Sequence, residues 1–342
     1  MARTTAIPTA QAPLPLEINS ALPWLAPLAG YSDLPFRTLC REYGAAVCET
    51  EMVSAKGLIY SSPGTNDLLL SHCADEPLVV QLFGGEAESM AEAVVRLRRL
   101  GYTRFDCNMG CPVRKVLRQG AGAALMAAVP LATQIGRAML EACRARGEGL
   151  PAQPAKIGFK LRLGPDGFQN TLSLARYLED AGAAWITFHP RTAAQGFGGV
   201  AHWEYTGRLV EALDIPVIAS GDLFTAEAGV ACLRETGAAA VMYARGALKD
   251  PLIFARHRAA LTGDARSLPM IAEVVRRHVA LARKYGATRS AFMKMRSIIP
   301  RYAKHLPGIN EFRLRLCQCG DWDALLPVVN EFFPDGVDHE SS

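Results

Sequence analysis

Asn108, Gly110, Cys111 and Pro112 sit together in DCNMGCP, residues 106 to 112, where an apolar run ends in a turn. A buried cysteine is ordinarily an inert small hydrophobe, whereas Cys111 follows a turn glycine and precedes a residue with no backbone N–H. That placement predicts an exposed thiol on a fixed loop. At a reference pKa of about 8.5 a thiol stays mostly protonated near neutrality and can deliver a proton as a general acid. Arg114 and Lys115 follow closely and could favour a thiolate, which would make Cys111 a nucleophile. Spacing leaves both roles open. Asp106 and Asn108 alternate with Cys107 and so share a face, and an Asn, being both donor and acceptor, can read the edge of an amide-like ring.

Lys160 and Arg162 are two apart in KIGFKLRL, so their side chains leave the same face of a strand. Two cations inside a barrel mouth would be costly without an anion. A cofactor that becomes anionic on reduction supplies one, and charge beside the pyrimidine end of a flavin ring tunes it. His189 ends the run WITFHP beside Arg191 and Thr192. ASGD, residues 219 to 222, and YARGAL, residues 243 to 248, end two further runs, where barrels often hold a phosphate on backbone N–H groups.

These residues must be carried to one place by regular elements. Eight β-rich runs, LPWLAP, AVCETE, PLVVQLFG, RFDCNMG, AKIGFKLRL, AWITFHP, IPVIASGD and AAVMYARG, alternate with amphipathic segments such as AESMAEAVVRLRRLG and TLSLARYLEDAG. Eight strands interleaved with helices predict a parallel (β/α)8 barrel of the α/β class. Gln81, Asn108, Lys160 with Arg162, His189, Asp222 and Arg245 all fall at C-terminal strand ends, where such barrels build their sites. Strand signals then stop, and residues from about 268 to 333 read as a C-terminal all-helical domain broken at Gly286 and Pro307. The expected organisation is a flexible extension over 1–22, a barrel over 23–260, helices over 268–333 and a disordered tail over 334–342.

Composition bounds the environment. Nine cysteines, an odd number without paired CxxC spacing, fit reduced thiols in the cytoplasm better than disulfides or a metal site. No apolar run approaches the roughly 18 residues of a membrane span, and nothing marks an obligatory protein partner. Charge is uneven: residues 274 to 316 hold eleven Lys or Arg against one acid, about +10, while the rest of the chain carries 26 basic and 32 acidic residues. Such separation suggests an anionic partner docking at one end.

The ordered set ETEM, VQLFGG, DCNMGCPVRKVLRQGAGAALM, KLRLG, FHPRTAAQGF, IPVIASGD, ARGALKDPLIF and YGATRSAFMKMRSIIPRYAKHLPG resembles the tRNA-dihydrouridine synthases, most closely the bacterial B-type. The resemblance implies an enzyme with bound FMN that takes a hydride from NADPH and reduces the C5=C6 bond of a D-loop uridine in tRNA. It implies Cys111 as proton donor. Pro27, Leu28, Ala29, Gln81, Lys160, His189, Ser220, Gly221, Asp222, Ala244 and Arg245 match flavin contacts, and Asn108, Arg162 and Phe197 match residues facing the uridine. Within the basic segment Arg289, Lys294, Arg296 and Arg301 are expected on the tRNA backbone. The family usually has Asn at Ser220, Gly at Ala244 and often Tyr at Phe197. If position 244 required a left-handed backbone, Ala there would cost about 1 to 2 kcal/mol. A small-molecule flavin oxidoreductase and a redox-inactive tRNA-binding module are the alternatives; the first has no use for the basic segment, and the second none for Cys111, Lys160, Arg162 and His189.

Overall fold

The computed structural model describes residues 15–264, 267–286, 289–303 and 306–334. Strands β1 (Trp24–Leu25), β2 (Val47–Glu49), β3 (Val53–Ser54), β4 (Leu78–Phe83), β5 (Arg104–Met109), β6 (Lys156–Arg162), β7 (Trp185–His189), β8 (Val217–Ala219) and β9 (Ala240–Tyr243) are all parallel. The order β2-β1-β9-β8-β7-β6-β5-β4-β3, closed by β2 pairing with β4, gives a barrel of eight positions. Both β2 and β3 pair with β4, so together they form the second position.

The AVCETE run is therefore not one strand. Glu49 pairs with Val79 and Val53 with Leu82, so the first chain spends one residue more than its neighbour. This is a bulge, and bulges re-aim side chains beside sites. Thr50 spans it: its N–H donates to the Val79 carbonyl, and its Oγ1 accepts from the Gln81 N–H at 3.1 Å. The extra residue directs Glu51 and Met52 toward the mouth of the barrel.

Alternation stacks the interior in layers. Trp24, Val47, Val79, Trp185, Ile218, Ala240 and Met242 form an apolar base. Trp24 and Trp185 meet edge to face, with centroids 5.5 Å apart. Gly158 makes room for them, since a Cβ there would lie 2.0 Å from the Trp185 ring. Above this base lies a polar layer that includes Glu49, Gln81 and Asp106, all wholly buried. Outside the barrel, strands and helices share larger cores built on residues such as Phe105, Phe159, Leu97 and Leu178.

The chain expected to be flexible before Trp24 is anchored where it is described. Leu16 and Ile18 pack against the apolar base, and the Ser20 carbonyl lies 2.8 Å from His257 Nε2. Residues 1–14 and 335–342 lie outside the described residues, so most of the expected tail does too.

Helices Ile271–Tyr285, Arg289–Tyr302, Ile309–Gln318 and Trp322–Phe332 gather around a core of their own that includes Phe292, Ile299, Phe312, Leu316, Leu325 and Val329. They dock on helix Leu34–Glu42 of the barrel, where Phe36 faces His278 at 5.5 Å and Arg277 pairs with Glu42. That barrel helix is itself pinned by the buried Arg37–Asp75 pair, whose guanidinium also donates to the Ser32 carbonyl at 2.7 Å. The rim turn before it is thereby fixed. Gly158→Ala should destabilise the fold by about 1–3 kcal/mol through overpacking against Trp185, read as a lower urea midpoint with unchanged slope.

Candidate active site

The C-terminal strand ends open into one cavity of about 400 Å³. Pro27, Leu28 and Ala29 reach it from the turn after β1, Asn108 and Cys111 from β5, Lys160 and Arg162 from β6, and His189 from β7. Ser220, Gly221 and Asp222 follow from the turn after β8, Ala244 and Arg245 from that after β9, and Phe197 from the loop after β7. Among the residues expected to meet cofactor or substrate, only Gln81 is off this wall.

Gln81 lies beneath the cavity because it points into the polar layer. Its Nε2 donates to Asp106 Oδ2 at 2.8 Å and Glu49 Oε2 at 3.2 Å, and its Oε1 accepts from Asn108 Nδ2 at 2.7 Å. Both ends of the amide thus have partners within the protein, and the side chain braces the polar layer beneath the cavity. Burial pushes the Glu49 carboxyl well up, and pushes Asp106 up to about 8 despite the Gln81 hydrogen bond. Glu49 Oε1 and Asp106 Oδ1 have no partner among the described residues, as befits carboxyls that hold a proton.

Asn108 continues this chain. With Nδ2 held by Gln81, its Oδ1 accepts from the N–H groups of Cys111 at 2.9 Å and Gly110 at 3.2 Å. Both ends of the amide are engaged, so Asn108, expected to face a ring edge, sets the turn that aims Cys111. The thiol itself is half-buried. Burial pushes its pKa up, opposed by a hydrogen bond at Val113 and by the charges of Arg162 and Lys160. The net shift is upward, so the geometry favours a protonated acid over a thiolate nucleophile.

Positive charge gathers beside it, on the neighbouring strand β6 and the turns that follow. Burial lowers the Lys160 pKa, and Glu49 and Asp106 oppose that fall. Arg162 donates to the carbonyls of Thr192 and Gly196 at 3.2 and 2.8 Å, and burial with Arg191 nearby lowers it to about 10. His189 is lowered to about 2 by burial and then by Lys160, Arg162, Arg191 and Arg245, so it is a neutral imidazole. Phe197, expected beside the uridine, stands 58% exposed at the rim. The guanidinium carbons of Arg245 and Arg162 lie 4.8 and 5.5 Å from its ring centroid. Cations over an aromatic face are attracted to its quadrupole.

Arg191 is the residue that sequence reasoning misses. It is almost wholly buried, and its donors reach Asp222 at 2.6 and 2.8 Å, the Gly198 and Gly199 carbonyls at 3.0 and 2.6 Å, and His189 Nε2 at 3.2 Å. The signal available was its place two residues beyond His189, the same alternation that marks 106/108 and 160/162. Asp222, expected on the flavin, is spent on Arg191, on the Ala201 N–H at 2.8 Å and on Arg245 at 3.5 Å. These contacts brace the loop, and Asp222 also lines the cavity. Ala244 has φ −123°, so no left-handed strain arises there and the anticipated cost of Ala vanishes.

The basic helices contribute unevenly. Arg301 reaches the cavity wall, donating to the Tyr31 hydroxyl at 2.6 Å and lying over its ring at 4.8 Å. Lys294 is partly buried and paired: its ammonium sits 3.0 Å from Glu51 and 3.3 Å from Asp33. Burial would lower its pKa, but the two carboxylates outweigh that and raise it. Arg277, Arg283 and Arg315 also face carboxylates. Arg296 bonds the Cys317 carbonyl, and Arg296, Arg301 and Arg313 meet no carboxylate among the described residues. The Arg289 side chain lies outside the described residues.

A parallel eight-position barrel whose strand ends gather a protonated thiol and a wall of cations defines a (β/α)8 enzyme. Residues 24–334 match the model of the family described as Dihydrouridine synthase (Dus). A Synechocystis sp. protein named "Probable tRNA-dihydrouridine synthase 1" is 36% identical over 299 residues, covering 86% of this chain and 81% of that one. The "tRNA-dihydrouridine synthase B" of Pseudomonas aeruginosa is 32% identical over 316 residues, covering 91% and 92%. The chain belongs to the dihydrouridine synthase family.

Because burial raises the Cys111 pKa while Arg162 lowers it, alkylation of this thiol by iodoacetamide should show a pH midpoint above that of a free thiol. Arg162→Met should move the midpoint further up; a downward move would mean the arginine does not face the thiol.

Proposed function

We propose that this chain reduces the C5=C6 bond of a uridine in tRNA, with FMN as bound cofactor and NADPH as reductant. The observation that carries the reading is Cys111, its pKa raised by burial, in one cavity with Lys160, Arg162 and His189 in a member of this family. The residues fit a flavin phosphate and ring. Among the described residues Arg162 meets no carboxylate and Arg245 has a single long carboxylate contact, so the site holds positive charge that an anion would balance. Ala26, Met52 and Met242 supply apolar surface for a planar ring. When bound, FMN supplies hydride transfer.

The chain's own groups complete the chemistry. Lys160 and Arg162 stabilise negative charge that develops on the ring systems. Cys111 would give its proton to uracil C5, completing the reduction that hydride supplied through FMN would begin at C6. Asn108 and Gln81 hold the thiol's turn at the required angle, and Phe197 offers an exposed face for the extruded base to stack on.

Turning a uridine out of a folded tRNA costs a few kcal/mol. In this reading residues 23–260 are the catalytic unit and 268–333 the tRNA-binding unit, whose backbone contacts offset that cost. Arg296, Arg301 and Arg313 are the described cations placed to serve, joined by Arg289. The nine unpaired cysteines suit a reducing, cytoplasmic setting. Among the described residues no helix is long and apolar enough to cross a membrane.

Cys111→Ala should retain FMN and oxidise NADPH with an artificial acceptor at the wild-type rate, yet form less than about one hundredth of the dihydrouridine, the scale of a general-acid contribution. Undiminished product would remove Cys111 from the mechanism, and loss of flavin would make it structural.

Reversing Arg296, Arg301 and Arg313 to Glu should flatten the dependence of tRNA affinity on salt by roughly 0.7 to 0.9 log units per lost phosphate contact. Lys294→Met should instead lower the melting temperature and leave that slope unchanged. Equal slopes in the triple variant and the wild type would return the reading to a small-molecule substrate.

A further inference from the structure

We infer that Arg191 is a positioning residue that locks His189 as the neutral Nδ1–H tautomer, so that His189 offers the cavity a hydrogen-bond donor and is never the acid.

The argument is one of donor arithmetic. A guanidinium has donors only, and Arg191 Nη1 lies 3.2 Å from His189 Nε2. Nε2 must then accept, which requires a bare lone pair and leaves the ring proton on Nδ1. An imidazolium would set an N–H against an N–H, so the same contact also disfavours protonation. The guanidinium cannot turn away. Two Asp222 oxygens and the carbonyls of Gly198 and Gly199 hold its other donors. The ring depends on a glycine at 221 for its place, since a Cβ there would lie 2.6 Å from Cδ2 and 3.0 Å from Nε2.

The electrostatics point the same way from every element around the ring. Lys160 and Arg162 face it from β6, Arg191 from its own loop and Arg245 from beyond β9, and burial adds to their effect. Asp222, the carboxylate after β8, is taken by Arg191 and Arg245. His189 lines the cavity, and its Nδ1 has no hydrogen-bond partner among the described residues. The free N–H therefore serves a ligand. On the proposed function that ligand is the flavin, and the acceptor is one of its ring or phosphate oxygens. The consequence for the reaction is a division of labour: His189 binds, and the proton is left to Cys111.

Long-range 1H–15N correlation spectra of the whole protein with 15N-labelled histidine test this directly, His189 being assigned by its loss in His189→Gln. From about pH 5 to 8 the wild type should show a protonated Nδ1 and a bare Nε2, without titration. A protonated Nε2, or an imidazolium at pH 6, would overturn the inference. In Arg191→Met the same ring should titrate nearer the ordinary value of about 6.5, whereas Arg191→Lys, which keeps one donor, should keep the wild-type tautomer. Should Arg191→Met not fold, the wild-type and Arg191→Lys spectra decide. Adding FMN should shift the Nδ1–H resonance. If FMN does not bind at all, the proposed function fails while the tautomer, read without cofactor, stands or falls by itself.

Discussion

Concentrated positive charge at the barrel mouth is the constraint from which the rest of the site follows. Burial, together with Lys160, Arg162, Arg191 and Arg245 converging around one imidazole, depresses its pKa to about 2. Like charges at this distance in a partly dry cavity repel strongly unless something intervenes. The protein intervenes from two sides. Asp222 clamps Arg191 and touches Arg245, and the buried Glu49 and Asp106 lie within electrostatic reach of Lys160 from below. Removing one partner of a mostly buried pair such as Arg191–Asp222 costs about 3–5 kcal/mol, so this scaffold is costly to disturb.

The counter-charge is incomplete by construction. Burial keeps Glu49 and Asp106 from behaving as two full anions, since each carboxyl is held well above its usual range. The mouth thus retains a surplus of positive charge that a bound anion can settle. A cavity lined only by neutral groups would not favour a reduced, negatively charged ring. One with fully compensated cations would not either.

How much of this was legible depended on whether the signal was local. Strand alternation placed Asn108 with Asp106 and Arg162 with Lys160 on common faces, and eight such runs sufficed for the barrel. The bulge between Glu49 and Val53 was not legible, because its extra residue shows only when counted against β4. Asn108 was read by type, and Gln81 through the resemblance, as a ligand-facing amide. They meet across two strands, so only the assembled barrel shows the amides holding one another and the Cys111 turn. Lys294 was counted as surplus charge because Asp33 and Glu51 lie more than two hundred residues away in sequence. Net charge over a segment says nothing about such pairing.

Lys294 also shows how the two parts of the chain are tied. Glu51, turned to the rim by the bulge, accepts from the Gly30 N–H and from Lys294, and so joins the loop after β1 to the helical segment. Arg301 makes a second tie through Tyr31, whose ring it covers at the cavity wall. The loop that carries Pro27, Leu28 and Ala29 is therefore braced by the same helices that hold Arg296, Arg301 and Arg313, which meet no carboxylate among the described residues. A rigid link of this kind matters for a polymeric substrate. An extruded base must meet the thiol and the cofactor while its backbone is gripped elsewhere, and a misplacement of about 1 Å is enough to cost a hundredfold in rate. Two short polar ties across the rim let the grip and the chemistry keep a common frame.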